Sequence, residues 1–207
     1  KNKDIEVVGY EDGYFKIGGQ KINIDGFLLE DFSDFSDVYS SPEKNNQKNN
    51  SVDLRRYLSK DIENQGEVGS CVTNAITSAL EYISHRATGK FFQMSRMFLY
   101  YNARLYDSSN KEIQGDEGCS ILNALRSAQE TGVCLEHSWP YEESEMNVKP
   151  TASAYVEAEK YKVDKFQLIT NNLNDMISCL DEGYPFVFGL KLTKSFNQIG
   201  GIIKTPD

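Results

Sequence analysis

A chain of 207 residues with a net charge of −9 can hold one domain plus an appended segment, and its sign argues against nucleic-acid and anionic-membrane partners, which reward dense Lys and Arg. Hydrophobic residues make up 39% and charged residues 26%, enough for an ordinary core, and no apolar run approaches the roughly 20 residues of a membrane span. Cysteines stand at 71, 119, 134 and 179; they contain no Cys-x-x-Cys pair, which argues against a structural zinc site, and they are too few for a disulfide scaffold.

The first residues lack the charged-then-apolar pattern of a signal peptide, although a processed terminus would look the same. Residues 1–40 are acidic and aromatic. Val8-Gly9-Tyr10 and Tyr14-Phe15-Lys16-Ile17 flank Asp12-Gly13, a dipeptide that supplies positive φ, so a hairpin is predicted. Gly18-Gly19 and Asp25-Gly26 are further turn signals. Residues 41–51 are polar and low in complexity, the composition of a linker.

Beyond the linker the pattern is helical. Residues 70 to about 89 form the first predicted helix, with Ala75, Ile76, Ala79, Leu80 and Ile83 at helical spacing and Gly89 past the last turn. Ser95 is placed to cap a second helix through Tyr106, and Ser120 a third from Ile121 to about Glu130, with Gly132 at its end. Residues 161–169 have strand character, residues 173–182 suggest a short helix closed by Gly183, and residues 184–192 form a β-rich run expected to be buried. Helices first and strands afterwards predict an α+β fold with a helical lobe and a sheet lobe.

The chemistry lies in Asn64-Gln65-Gly66-Glu67-Val68-Gly69-Ser70-Cys71. A glycine-rich turn delivers a cysteine to the first turn of an apolar helix, whose partial positive charge and unpaired N–H groups favour a thiolate and should lower the cysteine pKa. Gln65, six residues upstream, carries a side-chain amide that with the Cys71 N–H could make a two-donor oxyanion hole, the device acyl transfer needs.

This segment resembles the active-site block of papain-like cysteine peptidases, usually written QGxCGSCW; Val68 stands where the family has a disulfide cysteine and Val72 where it has tryptophan. Val52-Asp53-Leu54-Arg55 resembles the start of the mature enzyme. Gly115-Asp116-Glu117-Gly118-Cys119 resembles the glycine pair that bonds the substrate backbone, with only Gly118 retained. Gly132-Val133, Trp139-Pro140-Tyr141 and the stretch from Asp175 to Gly201 follow in the family's order, so the resemblance covers residues 52–207 and leaves residues 1–50 unmatched.

The resemblance implies the two-lobed papain-like fold. Residues 1–40 would be a pro-segment-like extension, 41–51 a linker, 52–150 the helical lobe with the nucleophile, and 151–207 a partial sheet lobe. It implies a cysteine endopeptidase, made as a zymogen, with Cys71 as nucleophile and Gln65 in the oxyanion hole. Gly69, Ser70, Gly118, Cys119, Ser120 and Ile121 would line the substrate site. Peptides or proteins would be the substrates, with no metal, cofactor, nucleic acid or membrane. For Cys119 a buried thiol is the competing expectation, and Cys134 and Cys179 are expected in the core. Residues 1–40 would act as an internal inhibitor or, alternatively, form a constant subdomain on the back of the enzyme, with Phe27, Leu28, Leu29, Phe32 and Phe35 buried against something. The missing family disulfide positions favour a reducing compartment; a secreted protein with its signal removed is the alternative.

The family's histidine and asparagine lie roughly 130–150 residues after the cysteine, which from Cys71 means about residue 201 or beyond, and neither occurs there in this chain. His85 is 14 residues along the same predicted helix, about 21 Å away, and His137 precedes Trp139-Pro140-Tyr141. The 207 residues by themselves are therefore expected to be inactive. The rivals are a pseudopeptidase that binds proteins and a transglutaminase-like acyl transferase.

Overall fold

The computed structural model describes residues 35–41, 51–107, 112–113 and 115–190, together with the backbone of three strands near the N-terminus. Those strands are β1 (Val7–Glu11), β2 (Tyr14–Ile17) and β3 (Gln20–Asn23). They form an antiparallel meander in which Glu11 faces Tyr14 and Ile17 faces Gln20, so the predicted hairpin is present and a third strand extends it. The turns at 12–13, 18–19 and 25–26, the apolar residues 27–32, the linker residues 42–50 and residues 191–207 lie outside the described residues.

Three helices build the first lobe: α1 (Cys71–Thr88), α2 (Arg96–Asp107) and α3 (Ile121–Glu130). Their ends follow the predicted caps. Ser95 Oγ accepts from the N–H of Phe98 at 3.0 Å, Ser120 Oγ from that of Asn123 at 3.1 Å, and Gly89 closes α1 with φ of +71°. The buried face of α1 differs from the apolar spacing: Ala75 and Ile83 are exposed, while Val72, Thr73, Ile76, Thr77, Glu81 and Tyr82 are buried. Polar residues can occupy this face because each has a partner. Thr77 Oγ1 donates to the Thr73 carbonyl at 2.9 Å, and the Glu81 carboxylate accepts from the Met94 N–H at 2.8 Å. Phe98, Leu99, Tyr100 and Ala103 from α2 and Ala124 and Ala128 from α3 complete the core with Val133, Cys134 and Trp139.

Glu81 affects stability as well as position. Burial pushes its carboxyl up to about 7, with Glu63 and Glu136 adding to the rise and the Met94 N–H and Arg96 opposing it. A folded value above the free one means that the native state holds the extra proton between about 4.5 and 7, so stability falls as pH rises through that window, by roughly 3 kcal/mol. Glu81→Gln keeps an acceptor for Met94 and is expected to remove that slope in urea unfolding measured between pH 4.5 and 8; an unchanged slope would assign it elsewhere.

The second half departs from the strand-rich expectation. Helix α4 (Ala152–Ala158), capped by Thr151, follows the first lobe where no helix was predicted. Of the run 161–169 only β5 (Leu168–Ile169) is a strand, because the carbonyl of Tyr161 accepts from Val133 N–H and the N–H of Val163 donates to the Ala128 carbonyl, committing that backbone to the helical lobe. Helix α5 (Leu173–Asp181) and the Gly183 turn are as predicted. Residues 184–190 form no strand and contribute little to the core: Phe188 is 65% and Leu190 57% exposed, Val187 packs partly buried against the helical core, and none of them pairs with a strand among the described residues.

The extension is tied to this half. Strand β4 (Val38–Tyr39) pairs parallel with β5, Val38 facing Leu168 and Tyr39 facing Ile169. Phe35 packs edge-on against Phe166, Tyr39 Oη donates to Glu182 at 2.9 Å, Ser41 N–H donates to Asp175, and Lys165 pairs with Asp37.

Candidate active site

Cys71 is the first residue of α1 and partly exposed, with the backbone N–H groups of Val72 and Cys71 near enough to its thiol to favour the charged form. The delivering loop is fixed by its own backbone. Gly66 holds φ of +61°, a conformation side chains rarely adopt, and a Cβ there would come within 1.9 Å of Glu143 Oε1. The carbonyl of Val68 accepts from the Ser70 N–H at 2.8 Å and from Gln65 Nε2 at 2.9 Å. The Gln65 amide is thereby held in the loop that delivers Cys71.

The expected lowering of the Cys71 pKa is corrected. Burial pushes the thiol up and the Asp116 carboxylate adds to the rise, while the N–H groups of Val72 and Cys71 pull it down without prevailing. A helix terminus alone does not make this thiolate; a neighbouring cation would be needed. Iodoacetamide labelling of Cys71 in the 207-residue chain is therefore expected to follow a midpoint above that of a cysteine peptide. Faster labelling than the peptide at neutral pH would contradict this.

Beneath the loop lies a network that sequence reasoning missed. Ser70 is fully buried; its Oγ accepts from Asn74 Nδ2 at 3.0 Å and lies 2.6 Å from Tyr141 Oη. Tyr141 Oη in turn donates to the Gln65 carbonyl at 2.7 Å. Arg96 sits against the Tyr141 ring, 4.0 Å from its centroid, and donates to Asn74 Oδ1 and the Asn64 carbonyl. Glu63 pairs with Arg96 at 3.0 Å, and Glu136 accepts from Tyr141 N–H at 2.8 Å. The one available signal was an arginine at the opening of a helix that also carries Met97, Phe98 and Leu99 into the core.

The other expected substrate residues have mixed surroundings. Gly69 N–H donates to both oxygens of Asp116, at 3.0 and 2.8 Å, joining the loop before Cys71 to the loop before α3. Gly118 has φ of +74°, and its N–H is committed to Tyr100 Oη at 3.1 Å, so its carbonyl is what it can offer a peptide. Cys119 is corrected as a cleft-lining side chain: it is fully buried among core residues, as is Cys134, because the chain turns inward there to start α3. Ser120 is spent on its cap, and Ile121 is partly exposed at the first turn. No disulfide joins the four cysteines, and burial pushes Cys134 up to about 12 and Cys179 up to about 11.

Both histidines are among the described residues and neither reaches Cys71. His85 Nδ1 lies 3.0 Å from the Tyr57 carbonyl, in the fourth turn of α1, and His137 is exposed, 3.9 Å from Glu157. Among the described residues no group of three or more His, Cys, Asp or Glu side chains could hold a metal ion, and no helix is long and apolar enough to cross a membrane.

Residues 48–206 match the family model described as papain family cysteine protease. An uncharacterized peptidase C1-like protein of Acanthamoeba polyphaga mimivirus is 35% identical over 141 residues, 64% of this chain and 44% of that protein. Among solved structures, xylellain, a cysteine protease from Xylella fastidiosa, superposes with a TM-score of 0.62 at 21% identity, over 88% of this chain and 66% of its own. Digestive procathepsin L 3 of Tenebrio molitor larval midgut gives 0.55 at 17% identity, over 72% of this chain and 47% of its own. These structures share the papain-like α+β fold with this chain. The chain spans under half the length of the viral relative and 66% of xylellain.

Proposed function

The chain belongs to the papain family of cysteine proteases, and from that membership we propose that the complete enzyme is an endopeptidase acting through Cys71. The Cys71 sulfur attacks the peptide carbonyl, and the C–N bond breaks as the leaving amine takes a proton. Water then hydrolyses the thioester and restores the thiol. The Cys71 N–H and the Gln65 side-chain amide would hold the oxyanion. A histidine that is neither His85 nor His137 would serve as base and acid, and as imidazolium it would supply the positive charge that the half-buried thiol needs.

The observation that carries this reading is a partly exposed cysteine at the first position of an 18-residue helix, with a glutamine amide held in the loop that delivers it. The test is a peptide-hydrolysis assay on the 207-residue chain and on the longest encoded chain, each with Cys71→Ala. We expect no turnover from the former and Cys71-dependent turnover from the latter. Cys71-dependent turnover by the 207 residues would overturn the inactivity, and Cys71-independent turnover the mechanism.

Residues 1–40 would act as a pro-segment, with cleavage in 41–51 raising activity. The pairing of β4 with β5 supports an extension that stays docked after the cut. Limited proteolysis checks it: activity should rise while the N-terminal fragment co-elutes with the enzyme, and unchanged activity would leave a constant subdomain instead.

A further inference from the structure

Two loops of the site meet at one carboxylate. Asp116 takes the Gly69 N–H on both oxygens, across 47 residues of sequence. Tyr100, from α2, donates its hydroxyl to Asp116 Oδ1 and accepts the Gly118 N–H on the same oxygen. One phenol and one carboxylate therefore connect the residue two before Cys71 with the residue that opens the 118–121 edge. Tyr100 is fully buried, and burial together with Asp116 drives its pKa far up, so its hydroxyl remains a donor. Arg104, one turn further along α2, lies 4.0 Å from the centroid of the Tyr100 ring and donates to the Gly115 carbonyl, fastening the same loop from behind. Bonds from an N–H and an O–H to an ionised carboxylate are about twice as strong as neutral ones.

We propose that Asp116 and Tyr100 are positioning residues: a clamp that holds the nucleophile loop at a fixed distance from the peptide-binding edge. It is a hydrogen-bonded tie, indifferent to reductants, in a chain whose cysteines form no disulfide and where valine occupies position 68. The proposal rests on Cys71 as nucleophile and on residues 118–121 as the edge that binds peptide, but its test requires no turnover.

Tyr100→Phe removes only the hydroxyl and does not touch Gly69; Asp116→Asn replaces one acceptor oxygen with an amide donor. In the 207-residue chain, Cys71 is modified with iodoacetamide and with benzyloxycarbonyl-Phe-Ala chloromethyl ketone at one alkaline pH, and the labelled peptide is identified by mass spectrometry. Iodoacetamide requires only the thiolate, whereas the dipeptidyl reagent requires thiolate and edge in register. The ratio of dipeptidyl to iodoacetamide rates is expected to fall about tenfold in each variant, and amide exchange at Gly69 to quicken about tenfold in Tyr100→Phe. The ratio cancels any change in thiolate fraction, and a purely stabilising role would leave it unmoved. A ratio within about twofold of the parent chain together with unchanged Gly69 exchange overturns the clamp. Should Tyr100→Phe fail to fold, Asp116→Asn decides by the same two measurements. A dipeptidyl reagent with no advantage over iodoacetamide on the parent chain would count against the peptide-binding edge, and Gly69 exchange then decides the clamp.

Discussion

Gln65→Glu is expected to lower kcat of the complete enzyme about 10²- to 10³-fold while KM changes little. The substitution keeps the side chain's length and removes its N–H groups. The amide donates to the Val68 carbonyl at 2.9 Å, and in the proposed mechanism it also faces the oxyanion. A carboxylate in that place would face the Val68 carbonyl and the developing negative charge together, repelling both. The effect should appear in kcat because the charge exists only in the transition state. Loop damage is the competing cause, and thiol chemistry separates the two. If the loop survives, iodoacetamide labelling of Cys71 should keep its rate once the thiol is ionised. A variant that retains kcat within about threefold would remove Gln65 from the oxyanion hole.

Arg96→Met is expected to destabilise the folded chain by about 3–5 kcal/mol at pH 8, because it leaves carboxylates buried without their cation. Arg96 is 7% exposed and pairs with Glu63 at 3.0 Å, with Glu136 3.9 Å away and Glu81 close enough for the guanidinium to pull its pKa down. Methionine fills similar volume but neutralises nothing. The pH dependence identifies the cause. Burial already raises Glu81 and Glu136, and both should rise further without Arg96, so protonation repairs the variant as pH falls. The deficit should therefore shrink between pH 8 and 5 in paired urea titrations. A deficit below about 1 kcal/mol, or one that does not change with pH, would mean that the cation on the Tyr141 ring contributes packing alone.

The two substitutions act on one connected object. Arg96 reaches the Gln65 carbonyl through Asn74, Ser70 and Tyr141, so Arg96→Met should also loosen the loop that carries the proposed oxyanion donor. Helix α2 enters the site twice, through Arg96 beneath that loop and through Tyr100 beside Asp116.

Sequence by itself determined whatever depends on near neighbours along the chain. The helices α1, α2, α3 and α5 were legible because apolar spacing, a serine cap or a closing glycine marks each within a few residues. The position of Cys71 at a helix start was legible for the same reason, since a glycine-rich turn, a glutamine and the cysteine fall within seven positions. Only the tertiary structure decided the rest. A strand is defined by its partner, so residues 161–167 lost strand character when their backbone bonded to the helical lobe, and β5 exists because Val38 and Tyr39 come to lie beside it. Burial is likewise a sum over the whole fold. It raised the Cys71 thiol against its helix terminus, enclosed Cys119, and turned Arg96, Asn74, Tyr141 and Asp116, scattered over 68 residues, into the supports of one loop. Hydrogen bonds between distant residues follow no period along the chain, so no local pattern could have announced them.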